Sequence, residues 1–269
     1  VLNSDIEGLT LAALWMDALE NDSDIETLKL GKIGGKDYDT GKLDPDGEPI
    51  MATTGGKAVT DHNLYGVAAL GSYDPVSFQI WYAVLEDVTD LFAAELAFSF
   101  DVSDDVNLNA KLQYGFSDFD SSFKRDVPVV DDADFYGAEL GTELYGVDLT
   151  AGYVNFSTKK DKKSLVAFED NGQFIKPGEE LFNYTLFDGK NDYWFVTAGY
   201  TIPDTGVRIG ADYLDGKNKV VDKKKDMKEV VGRIEYAHSD KLKFQTWYSH
   251  VKQGDEKNDK VRFEAKYSF

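Results

Sequence analysis

The sequence has no cysteine, three methionines, three histidines and six prolines in 269 residues. Without a thiol, disulfide frameworks, thiolate metal sites and cysteine nucleophiles are excluded together. His62, His238 and His250 have none of the short HxxxH or HxH spacings that metal chemistry favours. No Gly-x-Ser-x-Gly elbow occurs, which leaves a hydrolase only a site assembled from strand ends. Gly31, Gly34 and Gly35 follow no buried strand and open no helix, so the dinucleotide fingerprint is missing as well. Cations are scarce: 29 Lys and Arg stand against 49 Asp and Glu, a net charge of −20. That charge would repel the phosphate backbone that nucleic-acid binders neutralise, and no nucleic-acid partner is expected. No apolar run approaches the roughly 20 residues of a membrane helix. This last absence is silent about β-barrels, whose strands are apolar only at every second position.

Aromatic residues, by contrast, are plentiful, with 17 Phe, 15 Tyr and 4 Trp, a density that disordered acidic chains do not reach. Their neighbours follow a period of two. Val106, Leu108, Ala110, Leu112, Tyr114 and Phe116 alternate with Asn107, Asn109, Lys111 and Gln113, and Val261, Phe263, Ala265, Tyr267 and Phe269 alternate with Arg262, Glu264, Lys266 and Ser268. Such alternation marks a strand with one greasy and one wet face. The same test finds twelve segments, at 7–16, 61–73, 76–85, 90–100, 105–116, 133–142, 145–157, 191–202, 206–216, 228–238, 241–251 and 259–269. Strands of this length, when tilted, span a bilayer and exceed the five or six residues usual in soluble sheets.

Short and long connections nearly alternate, with tight turns at Tyr73-Asp74-Pro75, Asp101-Val102-Ser103-Asp104, Glu143-Leu144, Pro203-Asp204-Thr205 and Ser239-Asp240. Long polar stretches are expected at 17–60, 117–132, 158–190, 217–227 and 252–258. Outer-membrane barrels have short periplasmic turns and long outer loops. Aromatics gather at both ends of the greasy face, including Trp15, Tyr65, Tyr114, Trp194 and Tyr248 at one end and Tyr73, Phe100, Tyr200, Tyr236 and Tyr267 at the other, as interfacial girdles do. The expected fold is therefore an all-β transmembrane antiparallel barrel, a single domain over 1–269, with 17–60 a long loop that could fold into the pore. A soluble sandwich with these rings in its core is the alternative.

Three stretches, Ile6-Glu7-Gly8-Leu9-Thr10-Leu11-Ala12-Ala13, Asn63-Leu64-Tyr65-Gly66-Val67-Ala68-Ala69-Leu70-Gly71-Ser72-Tyr73-Asp74 and Val207-Arg208-Ile209-Gly210-Ala211-Asp212, together with the terminal Val261 to Phe269 segment, resemble the major outer membrane protein (MOMP) porins of the Campylobacter group. The likeness runs through the strands of nearly the whole chain. It implies a homotrimeric porin of the bacterial outer membrane, surrounded by lipid and lipopolysaccharide, with about sixteen to eighteen strands per barrel. Measured against that family, about six amino-terminal strands are expected to be absent, with Val1-Leu2 ending a strand before a turn at Asn3-Ser4-Asp5. No enzymatic activity and no required cofactor are expected.

If the greasy face meets lipid, the other face lines a lumen carrying Glu95, Lys111, Glu139, Asp148, Arg208, Asp212, Arg233, Glu235, Lys243, Arg262, Glu264 and Lys266. Charge inside the bilayer's height is tolerated where it faces water or an opposite charge. Rings of charge select ions, and Arg233, Glu235, Arg262 and Glu264 are the leading candidates for a constriction because they sit near mid-strand. Acidic loops should enrich cations at the mouth, so a cation-preferring passage for ions and small hydrophilic solutes is expected. The competing reading is that these charges pair off within a plugged interior. The stretch Glu20-Asn21-Asp22-Ser23-Asp24-Ile25-Glu26 offers the alternating carboxylates that calcium would accept. The family resemblance points to Asp24, with Asp22 beside it, against the alternative of a solvated acidic loop. A surface adhesin with a closed lumen and a soluble carbohydrate-binding sandwich remain the rival functions.

Overall fold

The computed structural model describes residues 1–17, 32–33, 36–43, 49–54, 57–58, 62–103, 105–168 and 170–268. Thirteen strands among them form one antiparallel sheet in which each pairs with its neighbours in the sheet's chain order. They are β1 (Leu2–Ile6), β2 (Leu9–Met16), β3 (Leu64–Tyr73), β4 (Val76–Leu85), β5 (Thr89–Ser103), β6 (Val106–Phe119), β7 (Ala133–Leu144), β8 (Val147–Thr158), β9 (Lys190–Ile202), β10 (Val207–Val220), β11 (Lys223–Ala237), β12 (Leu242–Gln253) and β13 (Glu256–Tyr267). Among the described residues no pairing joins β1 to β13. No described helix is long and apolar enough to cross a membrane.

The alternation read from the sequence sets the two faces of this wall. On β6, Leu108 and Leu112 are 48% and 52% exposed, whereas Gln113, Ser117 and Phe119 on the opposite face are buried. In register beside them lie Leu96, Phe98 and Phe100 of β5, and Phe263 of β13 is 69% exposed. Soluble monomers do not keep so continuous an apolar exterior; hydrocarbon accepts it. The stacked-sheet alternative does not form among the described residues, where these side chains stay exposed and meet no second sheet. Rings cluster on the same outer surface near the loop end, where Phe92, Phe116, Tyr114 and Tyr136 pack in succession.

Three expectations are corrected. The strand expected to end at Val1-Leu2 runs on through Asn3, Ser4 and Asp5 to Ile6, with the reversal at Glu7-Gly8; Leu2, Asn3 and Ile6 pair with Ala12, Leu11 and Leu9 across a register shift between Asn3 and Ile6. The stretches 217–227 and 252–258 are not long loops. β10 and β11 continue to a two-residue reversal at Val221-Asp222, and β12 and β13 to one at Gly254-Asp255. Their polar residues hid this, since a strand that has left hydrocarbon no longer needs an apolar residue at every second position.

Between β6 and β7 the chain forms α1 (Ser121–Asp126), capped by the Asp120 side chain on the Ser122 N–H. The Ser122 hydroxyl and N–H hold the Asp120 carboxyl below its usual range. Phe123 packs with Phe119, Leu85, Val88, Val130 and Leu165 in a small core at the loop end. The described parts of the β2–β3 connection are two short ladders, Lys32–Ile33 with Lys57–Ala58 and Lys36–Leu43 with Pro49–Thr54. The larger core lies on the inner face of the sheet and is completed by residues 159–189, which connect β8 to β9.

Candidate functional site

The inner face changes character along each strand. Toward the loop end it presents Phe135, Val154, Phe156, Tyr193, Phe195, Leu214, Val231 and Val251, all buried; toward the turn end it presents Glu139, Asp148, Arg208, Glu235 and Lys243. The apolar half is covered by the inserted segment 159–189, whose Phe174, Ile175, Leu181, Phe182, Tyr184 and Phe187 join the same core. Phe182, Tyr184 and Phe187 meet Phe156 edge-on, a favoured aromatic geometry. The wall makes room with Gly115, where a Cβ would lie 2.7 Å from the Phe174 ring.

Polar groups fix the lower edge of this segment. Glu229, fully buried on β11, accepts hydrogen bonds from the N–H groups of Glu179 (3.0 Å), Glu180 (3.0 Å) and Leu181 (3.1 Å), and from the Ser249 hydroxyl (2.7 Å). Three successive N–H groups converging on one carboxylate form a nest for an anion. Gly178 leads into it with φ of +76°, and a Cβ there would sit 2.5 Å from a Glu229 oxygen. The Gly178 N–H donates to Asp212 at 3.0 Å. On β6, the Gln113 carbonyl oxygen accepts from the Ile175 N–H at 2.6 Å.

Below this edge the charges pair. Arg233 makes a two-pronged contact with Asp212, at 3.1 and 2.7 Å, and reaches Glu179 at 3.0 Å. Arg208 bridges Glu235 at 3.1 Å and both oxygens of Asp148 at 3.0 and 2.8 Å. Lys111 and Glu139 stand 3.3 Å apart. All of these groups except Asp148, with Lys176 and Thr197, surround an open cavity of about 480 Å³ roofed by residues 173–179. Arg–carboxylate forks of this kind hold their geometry tightly. The result is an open cavity lined by both signs of charge.

The structure thus brings Lys111, Glu139, Arg208, Asp212, Arg233 and Glu235 to one cavity. Glu95 stands apart, in a second cavity beside β3–β6. Arg262 and Glu264 pair with each other at 3.0 Å on β13, and Lys266 lies in register with Lys243; none of the three lines the first cavity. Asp22 and Asp24 lie outside the described residues, as does most of 17–60. No group of three metal-ligating residues occurs among the described residues.

Sequence reasoning missed Glu179, Lys176 and Glu229, and it missed that 159–189 enters the lumen. A signal existed: Tyr193-Trp194-Phe195-Val196 is apolar on both faces, which a wet lumen does not require, and Phe174-Ile175 and Leu181-Phe182 interrupt an otherwise polar connection. The half-dry interior also corrects the expectation of a uniformly water-bathed inner face.

A family model described as Campylobacter major outer membrane protein matches residues 1–269. No curated protein matches the chain. Among solved structures the chain is similar to Acinetobacter baumannii OccAB3 (TM-score 0.70, 14% identity), covering 100% of this chain and 66% of that one. It is also similar to Pseudomonas aeruginosa OccK3 (OpdO), with TM-score 0.67 and 16% identity over 99% of this chain and 67% of that one. A third likeness is to Acinetobacter baumannii OccAB2, with TM-score 0.69 and 16% identity over 99% of this chain and 65% of that one. The chain spans about two thirds of the length of these relatives, and at such identities the likeness is one of fold.

Proposed function

The chain belongs to the Campylobacter major outer membrane protein family, and from that premise we propose that this bacterial outer-membrane barrel is a porin giving passive, cation-preferring diffusion to ions and small hydrophilic solutes. The observation that carries the reading is the division of the wall: an unbroken apolar exterior, and an interior whose turn-side half is charged around an open cavity. A net charge of −20 supplies the long-range attraction for cations. Arg208, Arg233, Glu235, Asp212, Lys111 and Glu139 form the selecting zone, with Arg262, Glu264 and Lys266 lining the wider lumen. No covalent chemistry is involved.

Unpaired strand edges are not tolerated in hydrocarbon, so in the membrane both β1 and β13 are paired. The assembly is a homotrimer, with lipopolysaccharide as its outer-leaflet neighbour. The test is reconstitution in planar bilayers across a KCl gradient. Discrete current steps with a reversal potential on the potassium side support the reading. A folded, inserted and silent barrel overturns it in favour of a closed adhesin, and chemical crosslinking that stops at the monomer removes the trimer.

A further inference from the structure

We infer that the cavity between the inserted segment and β3–β6 binds organic cations, an ammonium group carried on an apolar body. This cavity, of about 490 Å³, is walled by Trp81, Leu91, Ala93, Val166, Ala167 and Phe174, and among the described residues its one charged lining residue is Glu95. That volume falls in the range of small-molecule sites.

The carboxylate is held in place by a chain of hydrogen bonds that leaves no freedom of orientation. The Trp81 indole N–H donates to the Gln79 carbonyl oxygen at 3.0 Å, which turns the Gln79 amide N–H toward Glu95 at 3.1 Å. From the other side, the Ile175 N–H occupies the Gln113 carbonyl oxygen, so the Gln113 amide N–H must point at the second Glu95 oxygen, at 2.5 Å. Each Glu95 oxygen thus accepts one carboxamide N–H. Among the described residues this carboxylate has no ion-pair partner, unlike Glu139, Glu179 and Glu235, each of which faces a cation.

The walls then decide which cation. Calcium or magnesium would require several oxygen ligands, and here one carboxylate already engaged by two carboxamides faces apolar side chains. An alkyl- or arylammonium needs fewer ligands, buries its body against Leu91, Val166 and Phe174, and can set its charge against the face of Trp81, which is 39% exposed. Because Gln113 touches both this cavity and the inserted segment, an occupant would sit beside the passage. The inference deepens the porin reading and rests on it for biological meaning, although the site itself does not need current to be measured.

The experiment is calorimetric titration of the detergent-solubilised protein with benzyltrimethylammonium, and with the uncharged neopentylbenzene of the same shape. Saturable binding of the ammonium, at least about tenfold tighter than its neutral analogue, is expected. Glu95→Gln should weaken it by about tenfold or more, and Trp81→Leu should weaken it while leaving the carboxylate intact. Equal binding of both ligands, unchanged binding in Trp81→Leu, or no binding by the natural protein at millimolar ligand overturns the inference. Bilayer recordings separate the two claims. Conductance without binding removes this site and leaves the porin, whereas binding without conductance removes the porin and leaves the site.

Discussion

Replacing Glu229 by Leu tests how the inserted segment is held. The substitution removes a fully buried carboxylate that accepts from three backbone N–H groups and one hydroxyl. Each buried donor left without a partner costs about 1–3 kcal/mol. Water from the adjoining cavity, which Gly178 and Glu179 line, will reach some of them, so the low end of the sum, about 3–4 kcal/mol, is the appropriate figure. Against it stand six apolar anchors, Phe174, Ile175, Leu181, Phe182, Tyr184 and Phe187, worth about 1.5–3 kcal/mol each before ordering costs. The anchors therefore win over most of the segment, and the Tyr184 hydroxyl keeps its bond to the Ile175 carbonyl at 2.6 Å. The stretch 178–181 loses its latch locally. Hydrogen-exchange mass spectrometry should show the amides of 179–181 exchanging roughly two to three decades faster, at about 1.4 kcal/mol per decade, while 182–187 keep their protection. Unchanged exchange at 179–181 would show that the carboxylate does not hold the loop. Uniform acceleration across 159–189 would refute the comparison of magnitudes, because the segment would then release as one unit.

Other outcomes follow from the same geometry. Leu108→Arg places a charge on the lipid face and should cost about 2–4 kcal/mol of stability in lipid vesicles, whereas Asn109→Arg, on the inner face, should cost little; equal losses would reverse the assignment of faces. Gly178→Ala forces a side chain onto a φ of +76° and against Glu229, so a loss of about 1–3 kcal/mol is expected, read as faster exchange at the same three amides. Arg233→Ala leaves Asp212, whose side chain is 2% exposed, without its counter-charge, and should lower stability by about 3–5 kcal/mol in denaturant titration. Arg262→Glu, at an exposed pair that holds nothing else, should leave stability unaltered and move the reversal potential further toward potassium.

How far the fold could be read from the chain depended on whether a residue's neighbours in sequence were also its determinants in space. Leu108, Leu112, Val261 and Phe263 declare their face because hydrocarbon imposes one rule on every second residue. That rule stops at the membrane boundary, which is why 217–220 and 223–227 read as loop although they pair to the tip. The end of β1 was misplaced for a related reason: Asn3, Ser4 and Asp5 look like a turn, and Asn3 and Asp5 do bond to each other, yet Asn3 and Ile6 on either side pair with Leu11 and Leu9. At the candidate site, Arg208, Asp212, Arg233 and Glu235 were legible as inward charges on neighbouring strands. Glu229 was not, since nothing in Glu-Val-Val-Gly-Arg distinguishes a lumen carboxylate from one that will receive the backbone of a segment about fifty residues earlier in the chain.

The pairing of lumen charges bears on how a solute could be selected here. Arg208 and Arg233 are each engaged by two carboxylates, so carboxylates outnumber guanidiniums where the inserted segment presses on β6–β12, and the excess charge there is negative but held in rigid pairs. A passing cation there meets a net negative field set by charges of fixed position. A carboxylate with no ion-pair partner among the described residues stands on the other side of the segment, at Glu95, where the wall is apolar and the cavity remains open. The two cavities therefore differ in kind. Beside Arg208 the passage discriminates by width and by rigid paired charges, whereas beside Glu95 it discriminates by affinity for a poorly hydrated cation. A neutral polar solute and an organic ammonium should accordingly respond to different substitutions, the first to Arg208→Ala and the second to Glu95→Gln. Transport assays in liposomes that found both solutes slowed alike by either change would show that the lumen works as one undivided filter.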